Sequence, residues 1–213
     1  MGEAVSGAPT VDLDELELDA LTELVNLGVS RAALSLRDLV GEQVLLSVPL
    51  LSILSTPEAA ELIRAPEGHH LIAVRQAFDG DISGRALLIF PEQNSLELVR
   101  AVAGDHLSLQ DVAELEHEAL AEIGNIILNG CMGTISNLLQ RSLIMSLPEI
   151  LRGHGLDFFD LSQPTADDVV LFIRIDFTLR GREVSGYVAL VMDLPSLTAL
   201  KTLVAAFIER VTG

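Results

Sequence analysis

Between Leu13 and Leu39, apolar residues fall at Leu13, Leu16, Ala20, Leu21, Leu24, Leu27 and Gly28. That is the three-and-four spacing of a helix rather than the alternation of a strand. No proline interrupts the stretch and Gly28 is its only glycine. The pattern predicts one long helix, with Asp12 and Glu15 as a capping box, Asp14, Glu15 and Glu17 at the positive end of the dipole, and Gly41 as the stop. A second helix of the same kind is carried to about Leu139 by Leu115, Leu120, Ile123, Ile127 and Leu138, with Ser108 and Asp111 at its start. Behind the first helix the pattern turns to short strands: Val44 to Leu51, Leu71 to Phe78 and Ser83 to Phe90, with a turn at Asp79-Gly80 and short helices at Pro57 to Ile63 and Ser95 to Val102. The second half repeats that order. Strands are predicted at Leu143 to Leu147, Val169 to Leu179 and Val184 to Met192, with a turn at Arg180-Gly181-Arg182 and a closing helix from Ser196 to Ile208. The stretch Glu149 to Asp168, with Gly153, Gly155 and Pro164, reads as an inserted loop.

The two halves share more than element order. Glu118, Glu122 and Asn125 lie 99 residues after Asp19, Glu23 and Asn26, and 22 residues separate each Asn from a proline, Pro49 or Pro148. Gly84-Arg85-Ala86-Leu87-Leu88-Ile89 corresponds likewise to Gly186-Tyr187-Val188-Ala189-Leu190-Val191. Each half alone would leave a sheet edge and an apolar face unpaired. The expected fold is therefore α/β (α+β): pseudo-two-fold duplicated half-domains sharing one mixed or antiparallel six-stranded sheet, with two long motif-bearing helices. The expected organisation is a leader over residues 1–11, then one domain over 12–213 made of repeats at about 12–105 and 108–210.

On the helices, residues three and four apart stand side by side, so Asp19, Glu23, Asn26 and Ser30 form one polar stripe and Glu118, Glu122, Asn125 and Asn129 its counterpart. A single stripe of this kind is an ordinary solvated helix face. Asn is a poor helix former in mid-helix, however, and its recurrence at the same place, three residues after a Glu and 23 before a proline, asks for more than solubility. The prolines need no chemical role, since strand termination accounts for them.

Composition narrows the field. The 213 residues carry a net charge of -18 with no basic run, which argues against nucleic acid and anionic membrane as partners. Hydrophobic content is 49%, but the longest apolar run, near Val44 to Leu54, is broken by Ser47, Pro49 and Ser52 and is too short to span a bilayer. Residues Met1 to Thr10 have neither the basic nor the apolar region of a signal peptide, so a cytoplasmic location is expected. The lone Cys131 lies among small residues without a basic neighbour, as a packing residue would. The five histidines lack ligand spacing, and no metal site is expected. Asp79-Gly80-Asp81 mimics the start of an EF-hand loop, but the twelfth position is Phe90. Gly80, Ser83 and Gly84 have the wrong spacing for a nucleophile elbow.

The duplicated pattern Asp/Ser-x3-Glu-x2-Asn-x22-Pro resembles the signature of the CheC/CheX/FliY phosphatases of bacterial chemotaxis, over about Asp12 to Phe207. The second copy has the family's Glu-Ile-Gly-Asn. The first has Leu24-Val25 in place of Ile-Gly, and Glu118 stands where the family has Asp or Ser. The resemblance implies hydrolysis of the aspartyl phosphate of a CheY-like response regulator. Glu23 and Glu122 would pair with the regulator's lysine, Asn26 and Asn125 would place the attacking water, and Asp19, Ser30, Glu118 and Asn129 would border the partner. It implies no cofactor of the chain's own, with Mg2+ on the regulator, and the receptor deamidase CheD as a further possible partner. Asn suits this chemistry because a regulator that already carries its metal and lysine needs only an oriented water, as with the water-positioning Gln of GTPases. A non-catalytic scaffold like the middle domain of FliM is the alternative, although the chain lacks that protein's Gly-Gly-Pro-Gly motif. Gly124, beside Asn125, has two readings: it lets a partner approach closely, or it serves helix packing.

Overall fold

The computed structural model describes residues 13–41, 43–46, 50–63, 70–95, 98–100, 109–159, 168–179 and 182–213. The elements are α1 (Glu15–Val40), β1 (Val44–Leu46), β2 (Leu50–Ser55), α2 (Thr56–Leu62), β3 (Leu71–Gly80), β4 (Gly84–Pro91), α3 (Leu109–Leu138), β5 (Leu143–Met145), β6 (Glu149–Gly153), α4 (Gly155–Phe158), β7 (Val169–Leu179), β8 (Arg182–Met192) and α5 (Leu194–Thr212). A single 3-10 turn, Glu92–Asn94, follows β4, and Ser95 and residues 98–100 are helical. The expected leader, Asp12, Pro49, Ser108 and the turn residues Arg180 and Gly181 lie outside the described residues.

The fold is mixed α/β with an antiparallel sheet, as the repeat implied. Its order is β1-β7-β8-β4-β3-β5, with β2 also on β7 and β6 also on β3. The two long hairpins meet at β4 and β8, whose pairing is symmetric about Leu87 opposite Ala189. Each half's first strands then pair with the hairpin of the other half: β1 and β2 with β7, β5 and β6 with β3. This exchange gives each hairpin an outer neighbour that its own half does not supply, which is how the duplication covers the open edges.

Two expectations need correction. The sheet has six positions across but eight strands, because each outer position is shared by two strands, β1 and β2 on β7 and β5 and β6 on β3. In the second half the break falls at Ser146 to Pro148, where proline lacks the N–H a ladder requires. The predicted loop Glu149 to Asp168 begins instead with strand β6 and the short helix α4, the counterparts of β2 and α2. Its two glycines suggested a loop, yet β6 is held by five residue pairs with β3, Glu149 to Gly153 against Arg75 to Leu71.

The start of α1 also differs. Asp14, not Asp12, is the N-cap: its carboxylate accepts from the Glu17 N–H at 2.8 Å while the Glu17 carboxylate accepts from the Asp14 N–H at 2.9 Å. Gly41 ends the helix in the left-handed region at φ 74°, its N–H donating to the Arg37 carbonyl.

The sheet separates two cores. On one face Ile72, Val74, Phe78, Ala86, Leu88, Ile173 and Val188 pack against α1, α3 and α5. On the other, Ala73, Leu87, Ile89, Phe172 and Ala189 pack against Ala59, Ala60, Phe158 and Phe159 of the α2 and α4 region. The long helices cross tightly, since a Cβ on Gly28 would stand 2.9 Å from the Cys131 Cα and one on Gly130 would stand 3.0 Å from the Ala32 Cβ. Helix α5 ties down both: Lys201 pairs with Glu17 of α1 at 3.2 Å, and Arg210 donates to the Leu138 carbonyl at the end of α3.

Candidate functional site

The two polar stripes appear where the helical spacing put them, one on α1 and one on α3. Asp19, Glu23, Ser30, Glu118 and Glu122 are exposed, and Asn26, Asn125 and Asn129 are half-buried at the margin of the core. Among the described residues neither Glu23 nor Glu122 has a hydrogen-bond or ion-pair partner, so both carboxylates are available to a cation from outside.

The two asparagines differ in what holds them. Asn125 Oδ1 accepts from Gln76 Nε2 at 3.3 Å and from Asn129 Nδ2 at 2.5 Å. Gln76 lies on β3, is 1% exposed, and also donates from Nε2 to the Ser146 carbonyl at 2.8 Å. Its own Oε1 is buried with no partner among the described residues, a cost of about 1–3 kcal/mol that a core apolar residue would not carry. No hydrogen bond of Asn26 to another described residue is found.

The register explains the difference. Gln76 lies opposite Ala86, and Ile173 lies opposite Val188. The place of Gln76 beneath α1 falls to Ile173 by the pairing with β8, since Ala86 and Val188 correspond in the repeat, and to Ile175 by the outer strands, where Arg174 meets Leu50 as Arg75 meets Glu149; both are apolar residues of the same core. Ser30 likewise occupies the place of Asn129. Gly124 faces Val74 on β3, and its counterpart Val25 lies by Leu171 and Ile173 of β7.

The structure decides between the two readings of Gly124. It is buried, and a Cβ there would stand 2.3 Å from Val74 Cγ1. The glycine lets α3 sit down on β3 rather than opening the helix to a partner. Seated that closely, α3 brings Asn125 within reach of Gln76, two residues beyond Val74 on the same face of the strand. Val25, 2% exposed, fills the equivalent space beneath α1, and a small apolar cavity lined by Leu21, Val25, Leu171 and Ile173 remains there.

Gln76 was not among the residues expected from sequence. The signal was present: in Ile72-Ala73-Val74-Arg75-Gln76-Ala77-Phe78 the alternation puts Gln76 on the side of Ile72, Val74 and Phe78, a polar residue at a core-facing position. Ser146 could not be found this way, because it is its backbone carbonyl that meets Gln76, while its hydroxyl accepts from the Ala77 N–H.

Among the described residues no group of three or more His, Cys, Asp or Glu stands where it could hold a metal ion. No helix among them is long and apolar enough to cross a membrane. Cys131 is buried and its thiol is pushed up to about 12 by desolvation, so it stays protonated at neutral pH. Folded protein at pH 8 should accordingly react with iodoacetamide far more slowly than protein unfolded in guanidinium. Equal rates, read by mass spectrometry, would refute that burial.

Solved structures share this fold. The chain superimposes on Thermotoga maritima FliY with a TM-score of 0.73, at 16% identity, covering 93% of this chain and 98% of that one. The FliM middle domain of H. pylori gives a TM-score of 0.59 at 9% identity, covering 90% and 99%. No protein-family model matches the chain. By sequence it is 23% identical over 203 residues to the CheY-P phosphatase CheC of Bacillus subtilis, covering 88% of this chain and 93% of that protein. The relative agrees with the resemblance read from the duplicated motif, and the solved structures show the shared fold.

Proposed function

We propose that the chain accelerates hydrolysis of the aspartyl phosphate of a CheY-like response regulator. The carrying observation is Asn125, half-buried on α3 with its carboxamide oxygen held by two donors, one helical turn from the exposed Glu122, which pairs with no described residue. Glu122, and Glu23 on α1, would meet the regulator's phosphate-binding lysine. The asparagine would hold a water in line with the phosphorus, so that catalysis comes from orientation, while the Mg2+ on the regulator supplies charge stabilisation. The assay is direct: mix the chain with magnesium-loaded, phosphorylated regulator and follow loss of phosphate. No acceleration with any cognate regulator would leave the scaffold reading, which the likeness to the FliM middle domain favours.

Charge and chemistry should separate by mutation. Glu23→Ala with Glu122→Ala is expected to weaken binding of the phosphorylated regulator by roughly tenfold or more, because each removes an interfacial ion pair. Asn26→Ala with Asn125→Ala should leave binding nearly unchanged, since a neutral amide touching only a water acts mainly in the transition state. Calorimetric titration with a regulator carrying a stable phosphoryl mimic reads both. Equal loss of binding in the two double variants would show that these roles are wrongly divided.

A further inference from the structure

We propose that Gln76 is a positioning residue for Asn125: anchored on the Ser146 carbonyl, it fixes which end of the Asn125 carboxamide is left for the reaction, and no described residue does the same beneath α1. The inference rests on the proposed phosphatase reading and deepens it.

The argument begins with a group whose polarity is not in question. A backbone carbonyl only accepts, so the Gln76 atom facing Ser146 must be the amide nitrogen. The same nitrogen faces Asn125 at 3.3 Å, so the Asn125 atom there must be an acceptor, Oδ1. Asn129 then meets that oxygen with its own nitrogen. Carboxamide orientations are otherwise easily exchanged, but here each is set by the one before it, back to the main chain. Both lone pairs of Oδ1 are engaged, and Nδ2 makes no hydrogen bond to a described residue. The end of Asn125 presented to a water or a phosphoryl oxygen is therefore the donor. Ordering the side chain before the partner arrives also removes rotamer freedom that would otherwise be lost on the way to the transition state.

Among the described residues none of this is found beneath α1. Neither Ile173 nor Ile175 can donate, and Ser30 is exposed and makes no hydrogen bond to a described residue. On this reading Asn26 would be ordered by the partner itself. The burial of Gln76 at 1% exposure, with an oxygen left unpartnered, is accounted for by the donor it supplies.

The test places Gln76→Met, which keeps volume and removes the donor, in an Asn26→Ala background so that only the α3 site is read. The expected result is a fall in kcat of about tenfold with KM unchanged, as for a small misplacement of a reacting group. Side-chain 15N relaxation in the Asn26→Ala parent should show Asn125 Nδ2 as rigid, and as mobile once Gln76 is replaced. Asn129→Ala removes the other contact from the helix surface, without touching the sheet core, and should lower kcat in the same way. An unchanged kcat in both variants, or a raised KM with kcat intact, overturns the proposal. A wild-type chain that accelerates nothing overturns the phosphatase reading instead, and the relaxation measurement still decides whether Gln76 holds Asn125.

Discussion

Replacing Asn26 and Asn125 together by alanine is expected to return dephosphorylation of the regulator to its unassisted rate. If the wild-type chain accelerates the reaction about 100-fold, that loss corresponds to about 3 kcal/mol of barrier. The single variants should each retain activity, because the two sites lie on different helices and share no hydrogen bond among the described residues, but they should not retain it equally. Asn26→Ala keeps the carboxamide that Gln76 and Asn129 hold, and Asn125→Ala keeps one with no such support. Asn26→Ala should therefore be the more active of the two. Quench-flow or fluorescence decay of the phosphorylated regulator would rank them. The reverse order would mean that an asparagine ordered by its partner outperforms one ordered in advance. Full activity in the double variant would remove the asparagines from the mechanism altogether.

The close-approach reading of Gly124 points to the same order, but by a route the structure does not support. Gly124 beside Asn125 drew attention because the first copy has Val25 there, and one reading gave the glycine to the partner. In the structure it faces inward, onto Val74. Helical spacing told which residues share a stripe, but not which side of the neighbouring residue meets the sheet. The duplicated Glu/Asn spacing was legible because it is local to one helix. The Gln76 to Asn125 contact joins residues 49 apart and depends on how α3 is seated on β3, so it could not be read from either segment alone. The same limit explains β6 and α4. Gly153 and Gly155 mark loops by composition, yet Leu151 and Ile150 find partners on β3, and tertiary pairing overrides the local signal.

The seating of α3 carries the second large effect. Gly124→Ala adds one methyl group whose carbon would lie 2.3 Å from Val74 Cγ1 and 2.6 Å from Val74 Cβ. Val74 is fully buried and β-branched, so it has no alternative rotamer into open space and the helix must lift instead. Overpacking of this kind costs about 1–3 kcal/mol, and more when backbone must move. In a helix the alanine itself returns about 1 kcal/mol relative to glycine. The collision should prevail, with a net loss of roughly 2 kcal/mol and a fall in Tm of about 4–8 °C. Gly133 on the same helix has nothing within 4 Å of its would-be Cβ and provides the control: Gly133→Ala should raise Tm slightly. Lifting α3 also lengthens the 3.3 Å Gln76 to Asn125 bond, so Gly124→Ala in the Asn26→Ala background should lose phosphatase rate at temperatures where it is still fully folded. Differential scanning calorimetry of the two alanine variants, followed by the kinetic assay at 15 °C below the lower midpoint, separates these effects. If Gly124→Ala raised Tm as Gly133→Ala does, the close packing of α3 on β3 would be refuted, and with it the physical reason for expecting the second site to be the stronger.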